Sequence, residues 1–124
     1  MKNKFKIIVF FLFFNTLCLA ENITIKSKNI SLDKKNETSI FEDEVEIITE
    51  DGYEIKSKYL KYDKKKGILN LKDKIIGVDK KNNIIKADNA IYNENTKIFQ
   101  SIGPTKIITS ENYVIDGENI ILDN

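Results

Sequence analysis

Ile85-Lys86-Ala87-Asp88-Asn89-Ala90-Ile91-Tyr92-Asn93 is the stretch whose reading decides the fold, because its pattern stands in the chain four times at a spacing of 30 residues. The earlier copies begin Ile55-Lys56-Ser57-Lys58 and Ile25-Lys26-Ser27-Lys28, and the later one Ile115-Asp116-Gly117-Glu118. The spacing does not drift, so the copies align without an insertion. Two residues after each leading Ile stand Ser27, Ser57, Ala87 and Gly117, all small. Five residues after it stand Ile30, Leu60, Ala90 and Ile120; seven after it, Leu32, Tyr62, Tyr92 and Leu122; and next to these Asp33, Asp63, Asn93 and Asp123. A fixed period of this kind marks a repeat architecture, in which each unit buries its apolar face only against its neighbours.

Each unit reads as two strands. The first is the stretch Ile55 to Tyr62 and its equivalents, closed by Asp33-Lys34-Lys35-Asn36, Asp63-Lys64-Lys65-Lys66-Gly67 or Asn93-Glu94-Asn95-Thr96. These are turn compositions whose Asp and Asn side chains hydrogen-bond the backbone just ahead of them. The second segment runs from Ile40 to Thr49, Ile68 to Val78 and Ile98 to Thr109, and ends at Asp51-Gly52, Lys81-Asn82-Asn83 or Glu111-Asn112. Asp-Gly between alternating apolar residues is a strong hairpin signal. Helix is disfavoured: the segments are rich in Ile, Val, Tyr, Phe and Thr, and no apolar spacing near 3.6 residues is sustained.

The parity of the apolar residues predicts that these strands bend. Ile55 and Ser57 share one face, and Leu60 and Tyr62 share one, but strict alternation would put the two pairs on opposite faces. A β-bulge near Lys58-Tyr59 restores a common interior. The second segments break similarly at Glu42-Asp43-Glu44, Lys72-Asp73-Lys74 and Ile102-Gly103-Pro104, and Pro104, which has no amide to donate, suits a bulge. One bend per strand, repeated, folds the sheet over on itself.

The flanking sequence narrows the function classes. Lys2, Lys4 and Lys6 precede the apolar run Ile7 to Phe14, and Cys18-Leu19-Ala20 ends it with small residues at the positions a signal peptidase reads. Residues 1–20 are therefore expected to be a removable secretion signal and 21–124 the mature domain. A retained membrane anchor is the competing reading, but Asn15 and Thr16 interrupt a run shorter than the ~20 residues a spanning helix needs. Acylation at Cys18 would want a small residue where Leu17 stands. Cleavage after Ala20 leaves 124 − 20 = 104 residues, no cysteine, and a net charge of 17 − 19 = −2. That balance does not predict nucleic-acid binding, which wants a clustered basic excess. Catalysis finds no support either: the chain has no His, the mature part no Cys, and its carboxylates recur on turns by repeat symmetry. Calcium is opposed by the lysines of the same turns and by scarce glycine. No metal or cofactor is expected.

With apolar-x-small-Asp-x-apolar-x-Tyr-Asn at residues 85–93, then Ile98-Phe99 and Gly103, the repeat resembles the OstA-like domain of the lipopolysaccharide transport machinery. That domain occurs as the periplasmic bridge protein, in the N-terminal part of the outer-membrane translocon, and on a membrane-anchored inner-membrane partner. The likeness runs from about Ile23 to Leu122, with Asp43 and Asp73 standing where Gly103 stands in the third repeat. It implies an all-β, folded-over antiparallel β-jelly roll, here of about three and a third two-strand repeats. It also implies a periplasmic location associated with the outer membrane, and a groove that holds lipopolysaccharide acyl chains while the sugars stay in solvent. Domains of this family join edge to edge.

On that reading Ile25, Ile30, Leu32, Val45, Ile47, Ile55, Leu60, Tyr62, Ile75, Ile85, Tyr92 and Ile107 are the candidate groove lining. The small column leaves width on one wall. Ile115, Ile120 and Leu122 are candidates for pairing with another OstA-like domain, because the last strand has no partner in the sequence: either its edge pairs with another chain or the sequence is truncated. Apolar residues at such spacings also make ordinary core. The rival class is accordingly a structural or adhesive exported β-solenoid with no lipid ligand.

Overall fold

The two-residue alternation and the polar turns produce strands throughout the computed structural model, which describes residues 23–123. The expected signal segment lies outside the described residues. In chain order the strands are β1 (Thr24–Lys26), β2 (Asn29–Asp33), β3 (Thr38–Ile48), β4 (Glu54–Asp63), β5 (Ile68–Val78), β6 (Ile84–Asn93), β7 (Ile98–Ile108), β8 (Val114–Glu118) and β9 (Ile121–Asp123). Neighbours pair antiparallel in the order β1-β3-β4-β5-β6-β7-β8, with β2 also on β3 and β9 also on β7. Thus β1 with β2, and β8 with β9, are each one interrupted strand at an edge of a single sheet. The last strand is therefore not without a partner, as the sequence suggested. It pairs with β7 through Ile107↔Ile115 and Phe99↔Leu122, and the open side is its outer one.

The bends fall where parity placed them. Between the pairs Glu42↔Tyr59 and Val45↔Ser57, Asp43 and Glu44 stand opposite Lys58 alone. Asp73-Lys74 face Asp88 on one side, and Gly103-Pro104 face Asp88 on the other. Asp43 (φ 65°), Asp73 (66°) and Gly103 (83°) are all left-handed. That explains how Asp replaces Gly in this column, since Asp is among the side chains that tolerate the conformation. The second bulge residue is left-handed too in Glu44 and Lys74, whereas Pro104 is held to a negative φ by its ring.

Two hydrogen-bonded turn types close the ladder. Asp33 accepts from the amides of Lys35 and Asn36, Asp63 from Lys66, and Asn93 from Asn95 and Thr96. At the other strand ends, Thr49 and Thr109 hydroxyl oxygens and the Asp79 carboxylate accept from Tyr53, Tyr113 and Asn83. One glycine is required by packing rather than by turn geometry: a Cβ on Gly77 would lie 2.8 Å from Ile85 Cγ2.

The bends divide the sheet into a leading half, carrying the Ile and small columns, and a trailing half, carrying the Leu60 and Tyr62 columns. Folding brings their inner faces together. Val45, Ile47, Ile55 and Ile75 of the leading half join Phe41, Leu60, Leu69, Leu71, Tyr92 and Phe99 of the trailing half in one apolar cluster. Fully burying a side chain of this size is worth about 1.5–3 kcal/mol, so the middle of the sandwich holds the halves together.

Candidate functional site

Four cross-strand rows line the interior, and each follows one repeat column. In the leading half the register places Ile25, Ile47, Ile55, Gly77, Ile85, Ile107 and Ile115 side by side. The second row runs through Val45, Ser57, Ile75, Ala87, Thr105 and Gly117. In the trailing half one row is Leu32, Ser39, Tyr62, Leu69, Tyr92, Phe99 and Leu122. The other is Ile30, Phe41, Leu60, Leu71, Ala90 and Ser101. It is continued by Ile120, whose carbonyl accepts the Ser101 amide at 2.9 Å. The inner rows thus form one continuous layer crossing the strands, from the β1–β2 edge to the β8–β9 edge, close-packed in its middle.

The candidate lining residues separate by position along these rows. Val45, Ile47, Ile55, Leu60, Ile75, Ile85 and Tyr92 meet in the middle and are buried, all but Ile85 to below 2% exposure. Ile25, Tyr62 and Ile107 are half-buried against that cluster. Ile30 and Leu32, at the β2 edge, are 56% and 66% exposed. Of the edge candidates, Ile115 is exposed, Ile120 half-buried, and Leu122 packs on the core. Near that second edge lies a small cavity of about 110 Å³ bounded by Tyr53, Ile85, Ile107 and Leu122. It has room for roughly three or four water-sized groups.

Several interior residues escape the column reading. Phe41, Leu69, Leu71 and Phe99 belong to β3, β5 and β7; the parity break in each second segment was the available signal, since it puts residues on both sides of the bulge inside. Tyr53 had no such signal. It sits in the turn after Gly52, and its ring packs across the seam against Tyr92 (centroids 6.3 Å, edge-on) and Phe99 (6.3 Å, stacked). Beside it the Tyr92 hydroxyl donates to Asp51 at 2.9 Å, and Lys97 Nζ meets Glu50 at 2.6 Å. The turn 49–53 therefore fastens the free ends of the two halves. Burial and the adjacent Asp51 carboxylate push the Tyr92 hydroxyl well above the usual tyrosine range, so it stays a hydrogen-bond donor.

The small column has a second role besides leaving width. Ser27 and Ser57 donate to the carbonyls of Asn29 and Tyr59, both at 3.0 Å, bridging the bulge beside them. Thr105 donates to the Gly103 carbonyl at the same distance. No buried side-chain polar atom among the described residues lacks a partner. None of the described His, Cys, Asp or Glu residues cluster as a metal site. The interior is apolar apart from hydroxyls such as those of Ser57, Ser101 and Thr105, which are hydrogen-bonded within the protein.

No protein-family model and no curated protein sequence matches the chain. Among solved structures it is similar to LptH from Pseudomonas aeruginosa, the LptA-homologous periplasmic component of the conserved lipopolysaccharide transport device. The TM-score is 0.69 at 16% identity, over 84% of this chain and 77% of LptH. The likeness lies in the fold: residues 23–123 make an all-β antiparallel jelly roll like that of LptH.

Proposed function

We propose that this chain is a periplasmic lipopolysaccharide-binding transport domain, which shields acyl chains in its apolar interior during delivery to the outer membrane. The observation that carries the proposal is the continuity of the four inner rows, from one open edge of the sheet to the other. The fold shared with LptH supports it, and so does the secretion signal expected at residues 1–20. Each acyl methylene buried there gains about 0.8 kcal/mol without any directional contact, which suits cargo that slides. Exposed Ile30 and Leu32 at one edge and Ile115 at the other suit edge-to-edge pairing with further OstA-like domains, extending the inner rows.

A second reading is favoured by the tight packing of the middle, where nine apolar residues are below 2% exposed. An exported structural or adhesive repeat protein would have such a dry core. It would not be a solenoid, since the strands all pair antiparallel within one meandering sheet, β3 to β8 each beside its sequence neighbour.

A photo-crosslinking residue placed singly at Tyr62, Tyr92 and Ile107, with Lys65 as surface control, separates the two readings in cells that make lipopolysaccharide. Lipopolysaccharide adducts at the three inner positions and none at Lys65 are expected. A folded protein without adducts at any of them would leave the structural reading.

A further inference from the structure

The outer face of the leading half carries a feature that the inner rows do not use. Alternation should make this face polar, and toward β1 it mostly is: Lys26, Glu46 and Lys56 stand side by side with charges alternating, and exposed Ile48 is isolated between Thr24 and Glu54. Toward β8 it is not. Val78, Ile84, Ile108 and Val114 are consecutive cross-strand neighbours on β5, β6, β7 and β8, a four-strand aliphatic stripe, with Val114 57% exposed. Ile76, 40% exposed, lies alongside. The outer face of the trailing half shows nothing comparable: there Ile91 is flanked by Asn70 and Gln100. Isolated surface apolar residues need no explanation, but a contiguous stripe rimmed by polar groups marks an interaction surface.

The rim is basic. Lys86 and Lys106 are directly opposite each other, an arrangement that destabilises a sheet unless something offsets it. With Lys74, Ile76 and Pro104 they bound a shallow cavity of about 470 Å³, to which Asp88 and Asp116 also contribute. Lys106 reaches Asp116 at 3.9 Å. Among the described residues neither Lys74 nor Lys86 forms an ion pair.

We infer that this face docks the protein on an anionic lipid bilayer, with the aliphatic stripe in the headgroup boundary and Lys74, Lys86 and Lys106 on lipid phosphates. A protein partner fits less well, since interface cores are enriched in aromatic residues and this stripe is wholly aliphatic. Lysines suit a membrane surface, because their aliphatic stems lie along apolar groups while the ammonium reaches the phosphates. The inference is independent of lipid carriage, which concerns the opposite face of the same strands.

The test is flotation of the exported protein with vesicles free of lipopolysaccharide, either phosphatidylethanolamine with about a third phosphatidylglycerol or phosphatidylcholine alone. Binding is expected to the first vesicles and not the second, and to fade in 1 M salt, where the screening length drops to about 3 Å. Each lysine at an anionic surface contributes about fivefold in affinity. Lys86→Gln with Lys106→Gln should therefore weaken binding roughly twenty-five-fold, and Val114→Ser should weaken it at unchanged charge. Lys65→Gln, on a distant turn, should change it little. Equal binding to both vesicle types, or indifference to the Lys86 and Lys106 changes in a folded protein, overturns the inference. So does self-association through this face without flotation.

Discussion

The middle and the ends of this molecule are built from the same repeat columns, yet they have opposite environments. Leu60 in the second repeat is 0% exposed, while Ile30, one repeat earlier in the same column, is 56% exposed. Tyr92 is likewise 0% exposed and Leu32 66%. All four are large apolar or aromatic residues in inward-facing columns. What differs is the number of neighbours: a middle strand has a paired strand on either side and the opposite half of the sheet above it, and an edge strand has half of that. Burial along a repeat is thus set by position in the stack. The exposed ends are the terms that a neighbouring domain would complete.

Breaking a column in the middle and at the end should show this contrast at its largest. Leu60→Ala is expected to cost about 2–5 kcal/mol in denaturant unfolding, because both methyls and their surroundings are lost from a closed site. Leu32→Ala should stay within about 0.5 kcal/mol, as exposed substitutions do. Equal costs would mean that the edge is covered in solution.

The seam supplies an intermediate effect and a pH signature. Tyr92→Phe removes the bond to Asp51 and should cost about 1 kcal/mol at neutral pH. The Tyr92 pKa is raised in the folded state, so its protonated form binds the fold and the unfolded chain releases the proton first. Stability from this group is fully present below its unfolded value near 10 and falls as pH rises above that, by about 1.4 kcal/mol per unit. The difference between wild type and Tyr92→Phe in pH-dependent melts should therefore be flat below about pH 10 and shrink above it. A difference that does not change with pH would place the hydroxyl in water.

The bulges sharpen the comparison at the smallest scale. Gly103 is left-handed with nothing near its missing Cβ, so Gly103→Ala should cost about 1 kcal/mol of purely conformational origin. Asp73→Gly at the equivalent place should gain somewhat less than that, since Asp tolerates the conformation better than Ala. Opposite signs in thermal melts support one shared backbone geometry at both bends, and a loss in both variants would show that the Asp73 side chain holds its bulge.

The period, the strand positions, the turns and the bends were all legible in the sequence, because each rests on local chemistry: side-chain alternation, Asn and Asp at turn starts, and parity that reverses at Lys58 and Asp73. The four columns were legible as inward-facing for the same reason. Chain order alone did not reveal that Tyr53 would cross from a turn to cover Tyr92 and Phe99, since that contact joins strand ends that meet only after the sheet has folded. Nor did it reveal that the small column includes hydroxyls bonding the bulge carbonyls, because spacing shows a residue's size class but not its hydrogen-bond partner. The sequence by itself determined that this protein is a bent antiparallel sheet with one apolar face turned inward. Only the tertiary structure decided which parts of that face are sealed and which stay open, because burial depends on neighbours that arrive from the next strand and from across the fold.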